Sequence, residues 1–442
     1  MSFLRHFSRS NLHCKGLRNL STSALCHGHR EAFKFVVVGG GAGGLSVASS
    51  LARNHPNQVA VIEPASVHYY QPMWTLVGGG LKTVADSLKP MAEVMPKNVS
   101  WIQERAVHFD PGSNFVVTDA DRTLEYDFLV VALGLQLDFH KVEGLSEALG
   151  TDGVGCNYSV HTVNDTYKAI QGFKGGNAIF TLPAGPIKCL GAPQKIMYLA
   201  EEYFRHHGTR KDANVTFKSA LGLLFGVEKY RNALLKICAE RDINIDLFKN
   251  LIAIDSSKKE ATFELVNDVN NPKATETVPY DMIHITPPMG PVEVLKSSSL
   301  VDAAGFVDVN KHTLQHKMHS NIFALGDCSN TPNSKTAAAV AAQSGVVRKN
   351  LALAVEGRSL EHEYDGYASC PLVTGHNKVV LAEFDYNGTP LETFPVNQAV
   401  ERISMYHMKA DVMPELYWSG LLKGYWGGPK PWRQLMHLGM SN

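Results

Sequence analysis

The sequence predicts an α/β fold of two strand–turn–helix units, the second inserted into the first, followed by a carboxy-terminal segment of different character. Three observations carry this. An apolar strand, a glycine-rich turn and a small-residue helix succeed one another from Phe33. The same order restarts at NAIFTLP, from Asn177, and a third apolar strand, NIFALG, arrives at Asn321. Such alternation belongs to parallel sheets with crossover helices. The 442 residues, 44% of them apolar, suit two or three domains with a sizeable core. Forty-two basic side chains balance 42 acidic ones, so no general positive field favours a nucleic acid. No stretch reaches the roughly 18 consecutive apolar residues of a membrane span, which leaves only peripheral membrane contact.

Residues 1–34 differ from the rest. Arg5, Arg9, Arg18, Arg30 and Lys15 stand among scattered serines with Glu31 as the only acid, and Phe3, Leu4 and Phe7 begin an amphipathic stripe. This composition predicts a mitochondrial presequence rather than a secretory signal. Cys14 and Cys26 fall inside it and are not expected in the mature chain.

The run FKFVVVGGGAGGLSVASSLARN contains Gly39, Gly41 and Gly44 in G-x-G-x-x-G spacing, with Gly43 inside the same turn. The next strand, VAVIEP, ends at Glu63, 19 residues after Gly44. Glycines let the backbone approach a pyrophosphate at a helix N-terminus, and the acid can accept hydrogen bonds from an adenosine ribose. A tight turn without ligand is the plainer reading, and the strand, helix and acid in order argue against it. Two later segments, YDFLVVALG ending at Gly134 and NIFALGDCSN containing Asp327, resemble motifs of two-dinucleotide-domain flavoproteins. The resemblance implies two Rossmann-like dinucleotide-binding domains, FAD rather than NAD in the first, and Asp327 near its ribitol or phosphate. After Asp327 the helix SKTAAAVAAQSGVVRKNLALA is small enough to pack close to a flat ring. With its N-terminus at the flavin, its dipole and Lys335 would favour the negative charge of the reduced ring; an ordinary packed alanine helix is the alternative.

The second unit carries AGPIKCLGAP where an NAD-linked relative would have another glycine triplet. Pro183 and Pro186 remove backbone donors, and the next strand, NVTFKSALG, ends without an acid, so NADH is not the expected electron donor. In place of the phosphate loop stands Cys189, after Lys188 and before a helix start, where positive charge and helix dipole favour thiolate. A buried packing cysteine is the competing reading. No cysteine lies between Cys26 and Cys156, so any paired-thiol chemistry draws on distant segments. The strongest second candidate is Cys370 in YASCPLVTGHNKVVLAEFDY, with Pro371 and Gly375 expected to shape a turn and Lys378 expected nearby.

The strings HYYQPMWTLVGGG, IKCLGAPQKIMYL, ITPPM, SKTAAAVAAQ and SCPLVTG resemble the mitochondrial sulfide:quinone oxidoreductases over nearly the whole mature chain. The resemblance implies that Cys189 and Cys370 face the flavin as a disulfide, bridged directly or extended by sulfur. It also adds Gln71 to the expected cofactor contacts. Hydrogen sulfide would be oxidised, with Cys370 taking the sulfane sulfur as a persulfide and Cys189 released as thiolate. Two electrons would pass through FAD to ubiquinone, and a small acceptor such as glutathione, sulfite or another thiol would remove the sulfur. Cys156, in GCNYS, has no charged neighbour and is left aside. A type II NADH:quinone reductase and a redox-inert flavin-binding scaffold are the rival readings.

The tail, DVMPELYWSGLLKGYWGGPKPWRQLMHLGMSN, gathers Tyr417, Trp418, Tyr425, Trp426 and Trp432 with Lys423, Lys430 and Arg433. Aromatics and bases suit a headgroup-level anchor, predicting monotopic attachment, on the matrix side of the inner membrane by resemblance. A core or dimer contact is the alternative. His312 with His316, and His206 with His207, have no acid or cysteine set to complete a site, so no metal is expected. The expected divisions are 35–150 and 291–355 for the flavin domain, 151–290 for the second unit and 356–442 for the carboxy-terminal region.

Overall fold

A computed structural model describes residues 29–268, 271 and 273–438. The predicted leader falls outside them up to residue 28, while the first strand, Arg30–Val38, opens within the segment assigned to it. That strand lies parallel between Val59–Ile62 and Thr123–Val131, with Ser100–Ile102 beyond and an antiparallel pair, Ala106–Asp110 and Phe115–Thr118, at the other edge. Phe35 to Val38 form an unbroken buried run, as a strand covered on both faces requires. Each such side chain contributes roughly 1.5–3 kcal/mol by leaving water.

Two small-residue helices, Ala42–Asn54 and Ala337–Val355, cover one face of this sheet in contact with each other. Their closeness shows in the 3.1 Å contact between the hydroxyls of Ser46 and Ser344. The longer helix starts at Thr336, whose side chain accepts from the Ala339 N–H and caps the first turn.

The chain leaves the first sheet after Val131 and returns as Ile322–Ala324, parallel to the strand it left. Between them a second parallel sheet runs in the order Val154–Gly155, Met282–His284, Gly176–Leu182, Ala213–Ser219, Asn244–Leu247. Outgoing and returning connections cross side by side, Leu137 opposite Met289 and Gln136 opposite Gly290. A three-stranded antiparallel sheet, Lys249–Asp255, Glu260–Leu265 and Thr275–Pro279, adds to the second unit. Its middle strand buries Ala261 and Phe263 on one face only, the mark of a half-covered sheet.

Two expectations for the carboxy-terminal region are corrected. Cys370 is not at a turn: it sits within the strand Ala368–Gly375, opposite Ala382 of Lys378–Phe384, and the turn falls at His376 and Asn377. Asn377 takes the left-handed conformation, φ 61°, so the reversal does not need Pro371. Tyr417 and Trp418 are not on the surface either. They are buried against Tyr70, Met73 and Trp74, where the tail and the first unit share one apolar cluster. The tail reaches this cluster as a helical stretch from Ile403 to Leu421 that widens into π-turns at Met408–Val412 and Leu416–Leu421. Among the described residues no helix is long and apolar enough to cross a membrane.

Candidate active site

Gly39 ends the first strand at φ 105°, where a Cβ would lie 2.4 Å from the Ala132 carbonyl oxygen. Gly44 packs still closer, its imagined Cβ only 1.8 Å from the Gly39 oxygen. Gly43 faces Leu325, which would crowd a Cβ at 3.1 Å, whereas Gly41 opens onto free space with nothing within 4 Å. Gly41 caps the helix Ala42–Asn54 without any side-chain partner, so the first-turn amides and the positive end of the dipole face that space. Glu63 holds the turn: its carboxylate accepts from Gly40 N–H and Ala65 N–H, both at 2.7 Å. Gly134, at φ 71°, also leaves its Cβ direction open. Asp327 lies in the short turn Gly326–Cys328, where burial raises its carboxyl pKa against the pull of Lys335 and Lys188. Its carboxylate accepts no hydrogen bond among the described residues. An uncapped helix end, a cradle only glycine tolerates and an unengaged acid together fit a dinucleotide.

The sulfur side is assembled from the second unit and the hairpin. Cys189 takes φ 57°, and its N–H donates to the Lys335 carbonyl at 2.8 Å, which stitches the loop to the start of the long helix Ala337–Val355. Cys370 approaches from the hairpin until the two Sγ atoms are 3.7 Å apart. That approach requires Gly191, because a Cβ there would lie 2.4 Å from the Cys370 sulfur.

Electrostatics make the two thiols unequal. The buried Lys195 ammonium donates to Cys189 Sγ at 3.2 Å. The contact with Cys370, then the Lys195 and Lys409 charges, hold Cys189 well below the ordinary thiol range despite burial. Cys370 is pushed well above it, by the contact with Cys189 and by burial. Lys195 is held cationic by the same sulfurs, whereas burial and the Lys195 charge bring buried Lys409 down to about 7. Lys409 Nζ donates to the Pro72 carbonyl at 2.6 Å.

Comparisons with known proteins give the family. A family model described as pyridine nucleotide-disulphide oxidoreductase matches residues 33–345. The chain is 50% identical to the mitochondrial sulfide:quinone oxidoreductase of Mus musculus, over 98% of this chain and 96% of that one. The chain belongs to this family. The mitochondrial sulfide:quinone oxidoreductase of Dictyostelium discoideum is 45% identical over 90% of this chain and 88% of its own. The solved sulfide:quinone oxidoreductase of Aquifex aeolicus superposes with a TM-score of 0.76 over 93% of this chain and 96% of that one, and at 20% identity this is a likeness of fold.

In this member of the sulfide:quinone oxidoreductases, the predicted residues divide into those brought together and those set apart. Gly39, Gly41, Gly43 and Gly44 form one turn, held by Glu63 through the Gly40 N–H. Cys189 and Cys370 meet, with the start of the long helix beside them. Lys335 itself donates to the Ser329 carbonyl at 2.9 Å and lies over the Phe306 ring. The expected lysine partners are replaced. Lys188 Nζ donates to Gln71 Oε1 at 2.8 Å, and Lys378 stands opposite Gly375 at the far end of the hairpin. Lys195 and Lys409 take the place beside the sulfurs. Cys156 is buried, its pKa pushed up to about 11 by burial, which suits an inert thiol. Sequence reasoning also missed Tyr158, whose hydroxyl lies 3.5 Å from the Cys189 carbonyl. The one available signal for Lys195 was its place directly before the apolar run IMYLA, on a helix buried over most of its surface.

Proposed function

We propose that this sulfide:quinone oxidoreductase works through Cys189 and Cys370 as its redox pair, with FAD held by Gly39, Gly41, Gly43, Gly44, Glu63, Gly134 and Asp327 and approached by Gln71 and Lys335. The observation that carries the reading is the 3.7 Å meeting of two thiols 181 positions apart, one of them paired with a buried ammonium. Closing that gap to a bond of ~2.05 Å needs only a small side-chain movement. Hydrosulfide attacks Cys370 Sγ of the oxidised pair. A sulfur–sulfur bond forms to Cys370, the bond to Cys189 breaks, and its electron pair leaves on Cys189 as thiolate. Cys189 is the better leaving group because Lys195 stabilises its anion. A sulfite or thiolate acceptor, glutathione included, then takes the outer sulfur from the Cys370 persulfide and leaves a thiolate. Re-forming the Cys189–Cys370 bond releases two electrons, which FAD, when bound, carries to ubiquinone.

NADH is disfavoured as donor because the helix N-terminus that would receive its pyrophosphate, at Gly191 and Ala192, is faced by the Cys370 sulfur. Peripheral membrane attachment, on the matrix face of the inner membrane by resemblance, rests on a smaller set of residues than the tail composition suggested. Trp432, Leu435 and Leu438 are exposed, and Met436 lines an apolar groove with Val396, Met405 and Met408. Arg433, by contrast, pairs with Asp365 at 3.0 Å. Anaerobic titration of the purified protein tests the catalytic reading: sulfide bleaches the flavin, ubiquinone restores it, and NADH does neither. Cys189→Ser keeps the flavin and loses the bleaching by ~10³-fold or more. Normal turnover in that variant removes the mechanism.

A further inference from the structure

His68 opens the string HYYQPMW, and the reaction described above does not use it. It is almost fully buried, and both ring nitrogens are engaged by main-chain or side-chain groups from opposite ends of the chain. Nδ1 lies 3.1 Å from the Gly40 carbonyl oxygen and Nε2 lies 2.6 Å from the Tyr417 hydroxyl. A carbonyl can only accept, so Nδ1 carries the proton and Nε2 accepts from Tyr417. Burial keeps the ring neutral, lowering its pKa to about 4, and the Gly40 carbonyl fixes the tautomer.

We propose that His68 and Tyr417 form a positioning pair that sets the Gly40–Gly41 peptide, so that the carboxy-terminal segment is part of the dinucleotide site. In a trans peptide the carbonyl of one residue and the N–H of the next point in opposite directions. Tying the Gly40 oxygen to His68 therefore turns the Gly41 N–H away from the ring. Gly41 is the residue that opens onto free space at the helix end, and its N–H makes no hydrogen bond among the described residues. The preceding amides are already committed, Gly39 to the Ile62 carbonyl at 2.9 Å and Gly40 to Glu63. His68 supplies the remaining restraint on the turn.

Tyr417 is held firmly enough to transmit it. Its ring packs 4.6 Å from Tyr70 and 5.1 Å from Trp418. Just beyond it the chain is strapped to both flavin-side helices. Ser49 donates to the Leu422 carbonyl at 2.6 Å, Arg53 to the Lys423 carbonyl at 2.5 Å, and Arg348 to the carbonyls of Gly424 and Trp426.

The inference rests on FAD as the bound dinucleotide, and its test reads flavin retention rather than turnover. Flavin released after dilution is followed by fluorescence in the full-length wild type, Tyr417→Phe, His68→Leu and His68→Asn, alongside the melting temperature of each flavin-stripped protein. Loss of one buried hydrogen bond predicts roughly tenfold faster release for Tyr417→Phe and more for His68→Leu. His68→Asn, whose amide can still donate to Gly40 but no longer meets Tyr417, brings release back to about the Tyr417→Phe rate. Tyr417→Phe keeps the ring and its packing, so its flavin-stripped melting temperature falls only by the small amount that one buried hydrogen bond is worth; a purely structural role would show that fall and spare release. Wild-type release rates in both Tyr417→Phe and His68→Leu overturn the inference, as does His68→Asn behaving like His68→Leu. A wild type that binds no FAD overturns the proposed cofactor instead, so the two failures are distinguishable.

Discussion

The two strand–turn–helix units share an architecture and differ in what their turns do. In the first, Gly39, Gly41 and Gly44 clear the mouth of the helix Ala42–Asn54, and a Cβ at Gly41 would touch nothing. In the second, the helix Ala192–His206 starts behind Gly191, and there the missing Cβ makes room for a sulfur from another part of the chain. On the proposed reading the positive end of a helix serves two anions, a pyrophosphate in one unit and the Cys189 thiolate in the other. A Rossmann-type unit that has lost its glycine triplet has not lost its electrostatic use.

Adding one methyl to each turn separates the two roles. Gly44→Ala drives a Cβ against the Gly39 carbonyl oxygen at 1.8 Å, backbone against backbone, with no side chain to yield. The expected outcome is protein with little or no flavin, read from the visible spectrum after purification. Gly191→Ala has ordinary backbone geometry, φ −85°, and its obstacle is the Cys370 sulfur. Flavin content should match wild type while the sulfide-dependent bleaching rate falls by roughly 100-fold through misplacement of Cys370. Equal loss of flavin in both variants would erase the distinction between the turns.

Lys195→Met comes next in size. The ammonium lowers the Cys189 pKa, so its removal raises that pKa and shifts the thiolate-dependent limb of the bleaching rate to higher pH. Near neutrality the rate should fall about tenfold and recover partly in alkali. An unshifted limb would mean that the contact with Cys370 and the helix end suffice without the lysine.

The flavin-side turn was legible because its chemistry is local: three glycines, a strand, a helix and Glu63 fall within about thirty residues. The cysteine pair was legible from resemblance, since nothing in the spacing of Cys189 and Cys370 states that they meet. The lysines were misassigned for a physical reason. Lys188 and Lys378 are near the cysteines in sequence, but adjacent side chains on an extended segment point to opposite faces, and nearness along a hairpin is not nearness to its middle. Lys195 lies six residues along, about one turn into the helix Ala192–His206, and its long stem reaches back to the sulfur just before the helix start. Tyr417 and Trp418 show the limit of composition: an aromatic-rich tail reads the same whether its rings meet lipid or the domain core.

Lys409 gives the finest test of the contrast, because it is a charge on the sulfur side that titrates near neutrality. Burial is the main cause of its lowered pKa, about 7, with the Lys195 charge adding to it and the sulfurs opposing it. Below that value it is cationic and supports the Cys189 thiolate; above it the support fades. Lys409→Met should therefore slow sulfide-dependent bleaching several-fold on the acid side of neutrality and by less than about twofold well above it. Stability carries the same signature. Between about 7 and the ordinary lysine value, the unfolded chain holds a proton that the folded chain has released, so wild-type stability rises with pH across that window. In Lys409→Met that contribution is gone, and the difference in denaturation midpoint between variant and wild type should narrow, from the variant's advantage at low pH, as the pH rises. A difference that stays constant with pH would place the Lys409 titration elsewhere and leave Lys195 as the charge that sets the thiolate.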